Sequence, residues 1–207
     1  THLVGIEEMA GGELLVTGNT FYAPCLLKLS STGALRWAID YGDSNNSGVA
    51  RNGVKPTSDG GCVVVSGADG PCVQKIDANG RAVWHRTYDG PGKVGEEEEA
   101  LLSHVWAIDE TPDEGYIIGT TCLHTRDTGT YIGRALLRVD STGAPLWCRY
   151  YRSVTSDDEV RTHRPDLSDY LRERPNALTA CPDGTYLMVG KSKVLKATGR
   201  DMLILRV

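Results

Sequence analysis

The eight residues DANGRAVW, from Asp77 to Trp84, occur in altered form twice more in this chain. The other copies are SSTGALRW, which ends at Trp37, and DSTGAPLW, which ends at Trp147, and all three superpose without gaps. Each copy has a Gly four residues before its Trp and a Tyr four residues after it. Self-similarity of this kind indicates a repeat architecture. The repeated aromatic residues are Trp37, Trp84, Trp147, Tyr41, Tyr88 and Tyr151.

A second motif precedes each of the three copies. It also occurs a fourth time, where no Trp-containing copy follows it. Gly-bearing corners stand at residues 10–12, 59–61, 113–115 and 183–185, and each leads into an apolar, β-rich run. A Gly corner between two such runs indicates a hairpin. Each unit is therefore predicted to contain four strands. One precedes the corner, one follows it, a third ends in a basic and an aliphatic residue, and the fourth contains the Trp.

The spacing of the units is typical of propeller blades. The three Trp residues of the repeat are 47 and 63 residues apart, and a period near 45–50 with four short strands is the signature of a blade. We predict a single domain with blades at about 1–42, 43–90, 91–152 and 153–207. The longer intervals contain insertions, and residues 165–172 are predicted to form a short helix that begins at Pro165 or is capped by Asp166.

The third strand of each unit distinguishes between architectures, because two of its columns are apolar throughout. The columns are Leu26, Val73, Leu136 and Ile204, and Leu29, Ile76, Val139 and Val207. They are three residues apart, so they point to opposite faces of a strand. A sandwich usually leaves one face of each sheet polar, whereas a ring of blades buries both. The predicted fold class is an all-β, four-repeat β-propeller with antiparallel blades, and an open solenoid is its rival.

The overall composition excludes two classes of partner. The formal net charge is −5, which disfavours a surface for nucleic acid or anionic membranes. The apolar runs are strand-sized, far below the roughly 20 residues that span a bilayer. We therefore predict no nucleic-acid partner and no membrane span.

The cysteines and one sequon favour a secreted protein. Six Cys, an even number, allow up to three disulfides, and six buried free thiols are the alternative. Asn45 begins an N-glycosylation sequon in a polar loop. The chain starts at Thr1 without an initiator Met, which suggests a processed N-terminus. We predict an extracellular location, disulfides, and a glycan on Asn45 in a eukaryotic source.

The repeat pattern D-G-G-x-h-h-h-x-G … L-x-K-h-D-x-x-G-x-x-x-W-x-x-x-Y covers nearly the whole chain. It resembles the repeats of secreted bacterial β-propeller proteins related to the quinoprotein-like superfamily. The resemblance implies the fold and says little about function, since such blades have binding, scaffold and redox roles. A relationship to the quinoprotein enzymes would imply pyrroloquinoline quinone and calcium as cofactors. Their adjacent-Cys feature is missing here, so we assign no cofactor and no cofactor-binding residue.

Motifs for catalysis or metal binding are missing from the sequence. It has no G-x-S-x-G, H-E-x-x-H or P-loop motif. The five His residues are scattered, and no CxxC spacing indicates zinc. Acidic runs at 96–99 and 157–159 fit solvated loops, with a calcium site as the alternative. We predict no catalytic residue and no metal ligand. A carboxylate pair for glycoside hydrolysis would have to face each other across a cleft.

The C-terminus carries the main functional prediction. Residues Met202, Leu203, Ile204, Leu205, Arg206 and Val207 align with the third strands of the other units, and no Trp strand follows. The last blade is therefore predicted to be incomplete, and its apolar edge would template pairing with another chain. Three explanations stay open: a chain cut short, a further tail, or a strand donated by a neighbour. The last would link subunits head to tail, which can produce filaments.

We therefore predict a non-enzymatic extracellular module for binding or assembly, such as a subunit of a surface structure or filament. Its partner is predicted to be protein, including a second copy of the chain, with carbohydrate as another candidate. The alternatives are a small propeller enzyme, of glycosidase-like or quinoprotein-like type, and a carbohydrate-binding lectin.

Overall fold

A computed structural model describes most of the chain as β-strands in four blades. The described residues are 2–19, 24–41, 49–67, 70–88, 91–94, 98–126, 129–151, 175–192 and 201–207. Blade 1 consists of β1 (His2–Glu8), β2 (Leu14–Asn19), β3 (Pro24–Leu29) and β4 (Leu35–Asp40). Blade 2 consists of β5 (Val49–Pro56), β6 (Cys62–Ser66), β7 (Cys72–Ile76) and β8 (Ala82–Thr87). Blade 3 consists of β9 (Pro91–Val94), β10 (Glu98–Glu110), β11 (Tyr116–Arg126), β12 (Gly129–Val139) and β13 (Pro145–Tyr151). Blade 4 consists of β14 (Pro175–Ala180), β15 (Tyr186–Ser192) and β16 (Asp201–Arg206).

Each blade is an antiparallel meander whose strands pair in chain order. The first strands lie innermost: β5 contacts both β1 and β10, and β14 contacts β10. Blades 2 and 3 are joined, because β5 and β10 run parallel and pair where Ala107 faces Asn52. The short β9 adds to the edge of β10. The predicted fold class, an all-β propeller of four antiparallel blades, is confirmed, and three strands of the last blade are described.

The hairpins at one end of the blades share one design. In all seven that the structure describes, five residues separate the paired strands. In the corner of blade 2, Thr57 N donates to Gly61 O at 3.0 Å and Gly60 N donates to Thr57 O at 3.0 Å. Gly60 has a φ of 81°, a conformation that glycine adopts without steric cost. The remaining connections emerge at the opposite end, because the strands alternate in direction.

The innermost strand of every blade is bulged against its neighbour. The register shifts between Leu3 and Gly5 in β1, and between Pro175 and Ala177 in β14. Comparable shifts occur in β5 and β10. A bulge bends a strand and increases its twist, so the bulges lie where the blades crowd together.

Three apolar clusters form the core, each between consecutive blades. Leu15 and Leu26 of blade 1 pack with Val64 and Ile76 of blade 2. Residues of blades 2 and 3 form the largest cluster: Val63, Val65, Val73, Leu102, Val105, Ile108, Tyr116, Ile118, Cys122, Ala135, Leu137 and Val139. Ile117 and Leu136 of blade 3 pack with Leu178 and Met188 of blade 4. The core therefore consists of blade-to-blade contacts.

We call the side of a blade that packs on the following blade its leading face, and the opposite side its trailing face. The two predicted columns of the third strand fall on these two faces. Val73 packs with blade 3, while Ile76, three residues on, packs with blade 1. Both faces of the middle blades are therefore buried.

Two sequence-based predictions cannot be compared with this structure. The helix predicted over 165–172 lies outside the described residues, as does Asn45. Within the described part of the chain, no helix is long and apolar enough to cross a membrane.

Candidate functional site

Every corner carries an ion pair between a carboxylate and the base that ends the third strand. Lys75 Nζ lies 2.8 Å from Asp59 Oδ2, and Lys28 Nζ lies 2.8 Å from Glu13 Oε2. The same pairing joins Arg138 to Asp113 and Arg206 to Asp183. The bases of blades 1 to 3 are buried, whereas Arg206 is exposed. Sequence analysis found the bases but missed their partners.

The corner of blade 1 reaches the same pairing by a different route. In blade 2 the cation fills the space above Gly61, where an added Cβ would lie 2.7 Å from Lys75 Nζ. Blade 1 has Gly11 in place of the corner Asp and Glu13 in place of this Gly. The longer Glu side chain supplies the carboxylate from the other position, so the ion pair is retained although its sequence signal is lost.

Opposing effects act on the acid of the Asp59 corner. Partial burial works to raise the pKa of Asp59, but hydrogen bonds from Lys75, Thr57 and the Gly61 N–H outweigh it and lower the pKa to about 2. Thr57 Oγ1 donates to Asp59 Oδ1 at 2.6 Å, and Gly61 N donates to the same oxygen at 3.0 Å. The carboxylate therefore remains ionised at neutral pH and is a poor proton donor.

The repeated Trp residues join consecutive blades. Trp37 Nε1 donates to Ala78 O of blade 2 at 3.2 Å, and Trp84 Nε1 donates to Ser141 O of blade 3 at 3.0 Å. Both Trp side chains are half-buried. An added Cβ at Gly80 would lie 2.9 Å from the ring of Trp37, so this hairpin glycine receives the indole.

Trp147 and the repeated Tyr residues differ in their partners. Trp147 packs edge-on against Tyr186 at 5.8 Å between ring centroids, and Arg149 Cζ lies 4.7 Å from the Trp147 ring centroid. Tyr88 donates its hydroxyl to Gly143 O at 2.7 Å. The buried hydroxyl of Tyr41 has no hydrogen-bond partner among the described residues. The repeated aromatics thus lie at the blade contacts.

A groove opens between blades 2 and 3 beside the Asp59 corner, with a volume of about 440 Å³. Trp84 and Tyr116 form one wall, with 5.9 Å between ring centroids and 59° between ring planes. Asp59, Lys75, Glu110, Glu114, Ser58, Val83, Ser141 and Thr142 complete the lining. We call this the acidic groove. No sequence motif indicated it, because its residues come from two different units.

Asp109 links three blades near the centre of the array. Its carboxylate accepts hydrogen bonds from Thr179 Oγ1 and Ala180 N of blade 4, each at 2.9 Å. Lys55 Nζ of blade 2 lies 3.4 Å from the other oxygen. Asp109 is buried. These partners compensate its charge, and the contacts hold the three blades together.

The predicted assembly edge lies at the end of the array. β16 pairs with β15 along Asp201 to Arg206, and no other strand pairs with β16 in the described part of the chain. Ile204 is 59% exposed, while Leu26, Val73 and Leu136 at the same position are each 0% exposed. The side chains of Met202 and Leu203 are outside the description, and Leu205 and Val207 pack toward blade 3.

The predicted disulfides are wrong for this structure, since all six cysteines are free. Cys62 and Cys122 each lie in a different blade-to-blade cluster, where a thiol packs as a small apolar group. Burial raises the pKa of Cys62 to about 12 and that of Cys148 to about 11. Cys72 Sγ lies 2.8 Å from His85 Nε2. The even cysteine count therefore reflects packing.

Other predicted features fall outside the described side chains. Asn45, the acidic run at 157–159 and His163 are not described, and the side chains of Glu98 and Glu99 are also outside the description. Among the described residues, no cluster of three or more His, Cys, Asp or Glu is placed to hold a metal ion.

No protein-family model matches the chain, and no curated protein matches its sequence. Solved structures do share its fold. One is a protein of unknown function from Bacteroides caccae, with a TM-score of 0.56 and 10% identity. Another is a GH43 glycoside hydrolase engineered at its active site to display endo-xylanase and exo-arabinofuranosidase activity, with a TM-score of 0.51 and 13% identity. The match covers 99% and 98% of this chain, and 60% and 36% of those chains. The likeness establishes the propeller fold.

Proposed function

We propose that this chain is a non-enzymatic assembly module, in which the leading face of blade 4 packs on the trailing face of blade 1 in a second copy. Repetition of this contact would build a filament or another extended surface structure. The proposal is carried by the exposure of Ile204, whose three equivalents are fully buried between blades.

The opposite end of the array offers a matching surface. Ile6, on the trailing face of blade 1, is 63% exposed, although its equivalents Val54 and Ile108 are buried. Leu14 and Leu29 on the same face are half-buried. The two open faces have the same residue types that pack together at the three internal contacts. A head-to-tail contact would therefore continue an interface that already occurs within the chain.

The backbone of the last blade supports the same contact. Among the described strands β16 pairs with β15 alone, so no described strand covers the N–H and C=O groups of its outer edge. Such edges add strands from other chains. The contact joins two different surfaces, so it is heterologous, and it gives rings or open filaments according to whether the rotation closes.

Assembly is tested by sedimentation velocity and electron microscopy of the full chain over a range of concentrations. We expect oligomers that lengthen with concentration. Ile204→Glu and Ile6→Glu should each stop growth, because a carboxylate would be buried without a partner in the contact. Val83→Glu is the matched control, since Val83 is 60% exposed on an outer strand within the array.

Mixing the two blocked variants gives the sharpest result. Each retains one intact face, so Ile204→Glu and Ile6→Glu together should form dimers and nothing larger. A chain that is monomeric at every concentration would contradict the proposal. Assembly that survives both substitutions would also contradict it.

The alternative is a glycosidase-like propeller, and its support is the fold shared with the GH43 enzyme. A fold of this kind hosts many functions. Asp59, Asp109 and Asp113 are held in ion pairs, which leaves none of these three carboxylates free to act as a proton donor. Assays on xylan and arabinan test this alternative. If Ile204→Glu abolishes hydrolysis, the activity depends on assembly. If the variant retains hydrolysis, the activity comes from a separate site.

An extracellular location is part of the proposal, and it now rests on the sequon at Asn45, since the cysteines are free. A quinoprotein-like propeller and a carbohydrate-binding module remain alternative functions. Intact-mass measurement after expression in a secreting eukaryotic host tests the glycan, with Asn45→Gln as control. An unmodified mass would remove this support.

A further inference from the structure

The acidic groove between blades 2 and 3 has the lining of a site for an organic cation. Its aromatic wall is fixed: Tyr116 is buried, and Trp84 is held by the hydrogen bond of its indole to Ser141 O. An aromatic face attracts a cation through its quadrupole. Preformed walls of this kind limit the entropy lost when a ligand binds.

The charges of the groove leave two carboxylates for a ligand. Lys75 Nζ is committed to Asp59, with 2.8 Å to Asp59 Oδ2 and 2.9 Å to Oδ1. Glu110 accepts hydrogen bonds from Ser58 N at 3.0 Å and Ser58 Oγ at 3.2 Å, and no basic side chain pairs with it among the described residues. Glu114 is exposed and has no ion pair among the described residues. The groove thus holds a net negative charge beside an aromatic wall.

The contact between blades 3 and 4 shows what such a wall attracts within this protein. Trp147 and Tyr186 reproduce the geometry of Trp84 and Tyr116, with 5.8 Å between centroids and 61° between planes. There the chain supplies a cation of its own, because Arg149 Cζ lies 4.7 Å from the Trp147 ring centroid. The positions of Glu110 and Glu114 are Ala180 and Gly184 in blade 4.

The acidic groove has the complementary set of residues. Arg86, the equivalent of Arg149, directs its Nη1 to His85 O at 3.3 Å, and no cation lies over Trp84 among the described residues. The contact between blades 1 and 2 lacks both features, since Cys62 replaces the Tyr and Pro56 replaces the Glu. Within the described part of the chain, carboxylates are therefore present at the aromatic wall that lacks a cation of its own.

Glu114 also departs from the pattern of the corners. It has a φ of 61°, and it is the one non-glycine residue with positive φ in the described chain. The corresponding residues of the other corners are Gly12, Gly60 and Gly184, with φ of 79° to 81°. A non-glycine residue in this conformation is strained, because its Cβ crowds the backbone. The carboxylate is thus retained at a position where glycine is more stable.

We propose that the acidic groove binds an arginine side chain of a protein partner, with the guanidinium on Trp84 and paired with Glu110 and Glu114. Arginine fits both walls, because its planar group stacks on aromatic rings and pairs with carboxylates. This site is separate from the open faces of blades 1 and 4, so it stands or fails independently of the assembly.

The probe is the peptide acetyl-Gly-Arg-Gly-amide, titrated into the full chain and followed by NMR at the Trp84 indole N–H, which is assigned with Trp84→Phe. We expect a saturable shift that weakens as salt rises, because screening reduces the attraction between charges. The same peptide with citrulline, a neutral isostere of arginine, should bind at least fivefold more weakly.

Variants of Glu114 separate binding from folding. Glu114→Gly should be as stable as the parent or more stable, yet bind the arginine peptide about fivefold more weakly, and Glu114→Gln should weaken binding to the same extent. Glu8→Gln is the charge-matched control, since Glu8 is the equivalent of Glu110 in blade 1. Equal binding of the citrulline peptide would overturn the proposal. Unchanged affinity in both Glu114 variants, or no shift at Trp84, would also overturn it.

Discussion

The contact between blades 2 and 3 and the free face of blade 4 have the same residue pattern in different surroundings. Val73 on the leading face of blade 2 is fully buried against blade 3, whereas Ile204, its equivalent, is 59% exposed. The bases follow the same division, since Lys75 is buried and Arg206 is exposed. A repeat therefore specifies what a residue can contact, while its position in the array decides which contacts form.

The largest difference is expected for the repeated Trp. Trp84→Ala should lower the free energy of unfolding by about 3–5 kcal/mol, because it removes the packing on Tyr116 and the indole hydrogen bond to Ser141 O. Trp147→Ala should cost less, since its indole N–H meets no carbonyl among the described residues. Denaturant titration of both variants measures these losses. A Trp84→Ala protein as stable as the parent would contradict the prediction.

Leu136 and Ile204 form the next pair. Leu136→Ala removes a fully buried side chain and should destabilise the chain by about 2–5 kcal/mol. Ile204→Ala should change the stability of the monomer by about 0.5 kcal/mol or less, as surface substitutions do. Urea unfolding at low protein concentration measures both. Equal losses would mean that Ile204 is buried in solution.

The corner ion pairs give a smaller difference. Asp59→Ala leaves the buried Lys75 ammonium without its carboxylate, which should cost about 1–3 kcal/mol. Adding Lys75→Met should recover much of this loss, because an apolar pair replaces a broken ionic one. Asp183→Ala should cost clearly less than Asp59→Ala, since Arg206 is exposed and its pair is screened by solvent. A double-mutant cycle on Asp59 and Lys75 tests the first pair, and an Asp183→Ala loss as large as that of Asp59→Ala would contradict the difference.

The smallest effect is one of pH. The pKa of Asp59 is about 2 in the folded chain, below its usual value of 3.8, so the folded state binds this proton less readily than the unfolded state. The stabilisation from Asp59 is therefore complete above about pH 4 and is lost as the pH falls toward 2. Because the side chain is 60% exposed, screening keeps this contribution small. Thermal melts should show a shallower acid dependence for Asp59→Asn than for the parent, and identical slopes would contradict it.

The sequence predicted most of the fold, because hairpin glycines and apolar columns are local signals that recur in every unit. It did not predict the ion pairs, since Lys75 and Asp59 are 16 residues apart and meet through the register of two hairpins. It also missed the acidic groove, because Trp84 and Tyr116 belong to different blades. The predicted disulfides were wrong because an even cysteine count does not distinguish a bridge from an apolar packing residue.

The seven hairpins of equal length all lie at one end of the blades, while the other connections range from two residues after Arg126 to 23 residues after Tyr151. An insertion at the second end leaves every ladder hydrogen bond in register, whereas one at the first end would shift a corner and its ion pair. The two ends therefore tolerate mutation differently. New recognition loops can evolve at the variable end without a cost to folding, and the hairpin end records the ancestral repeat.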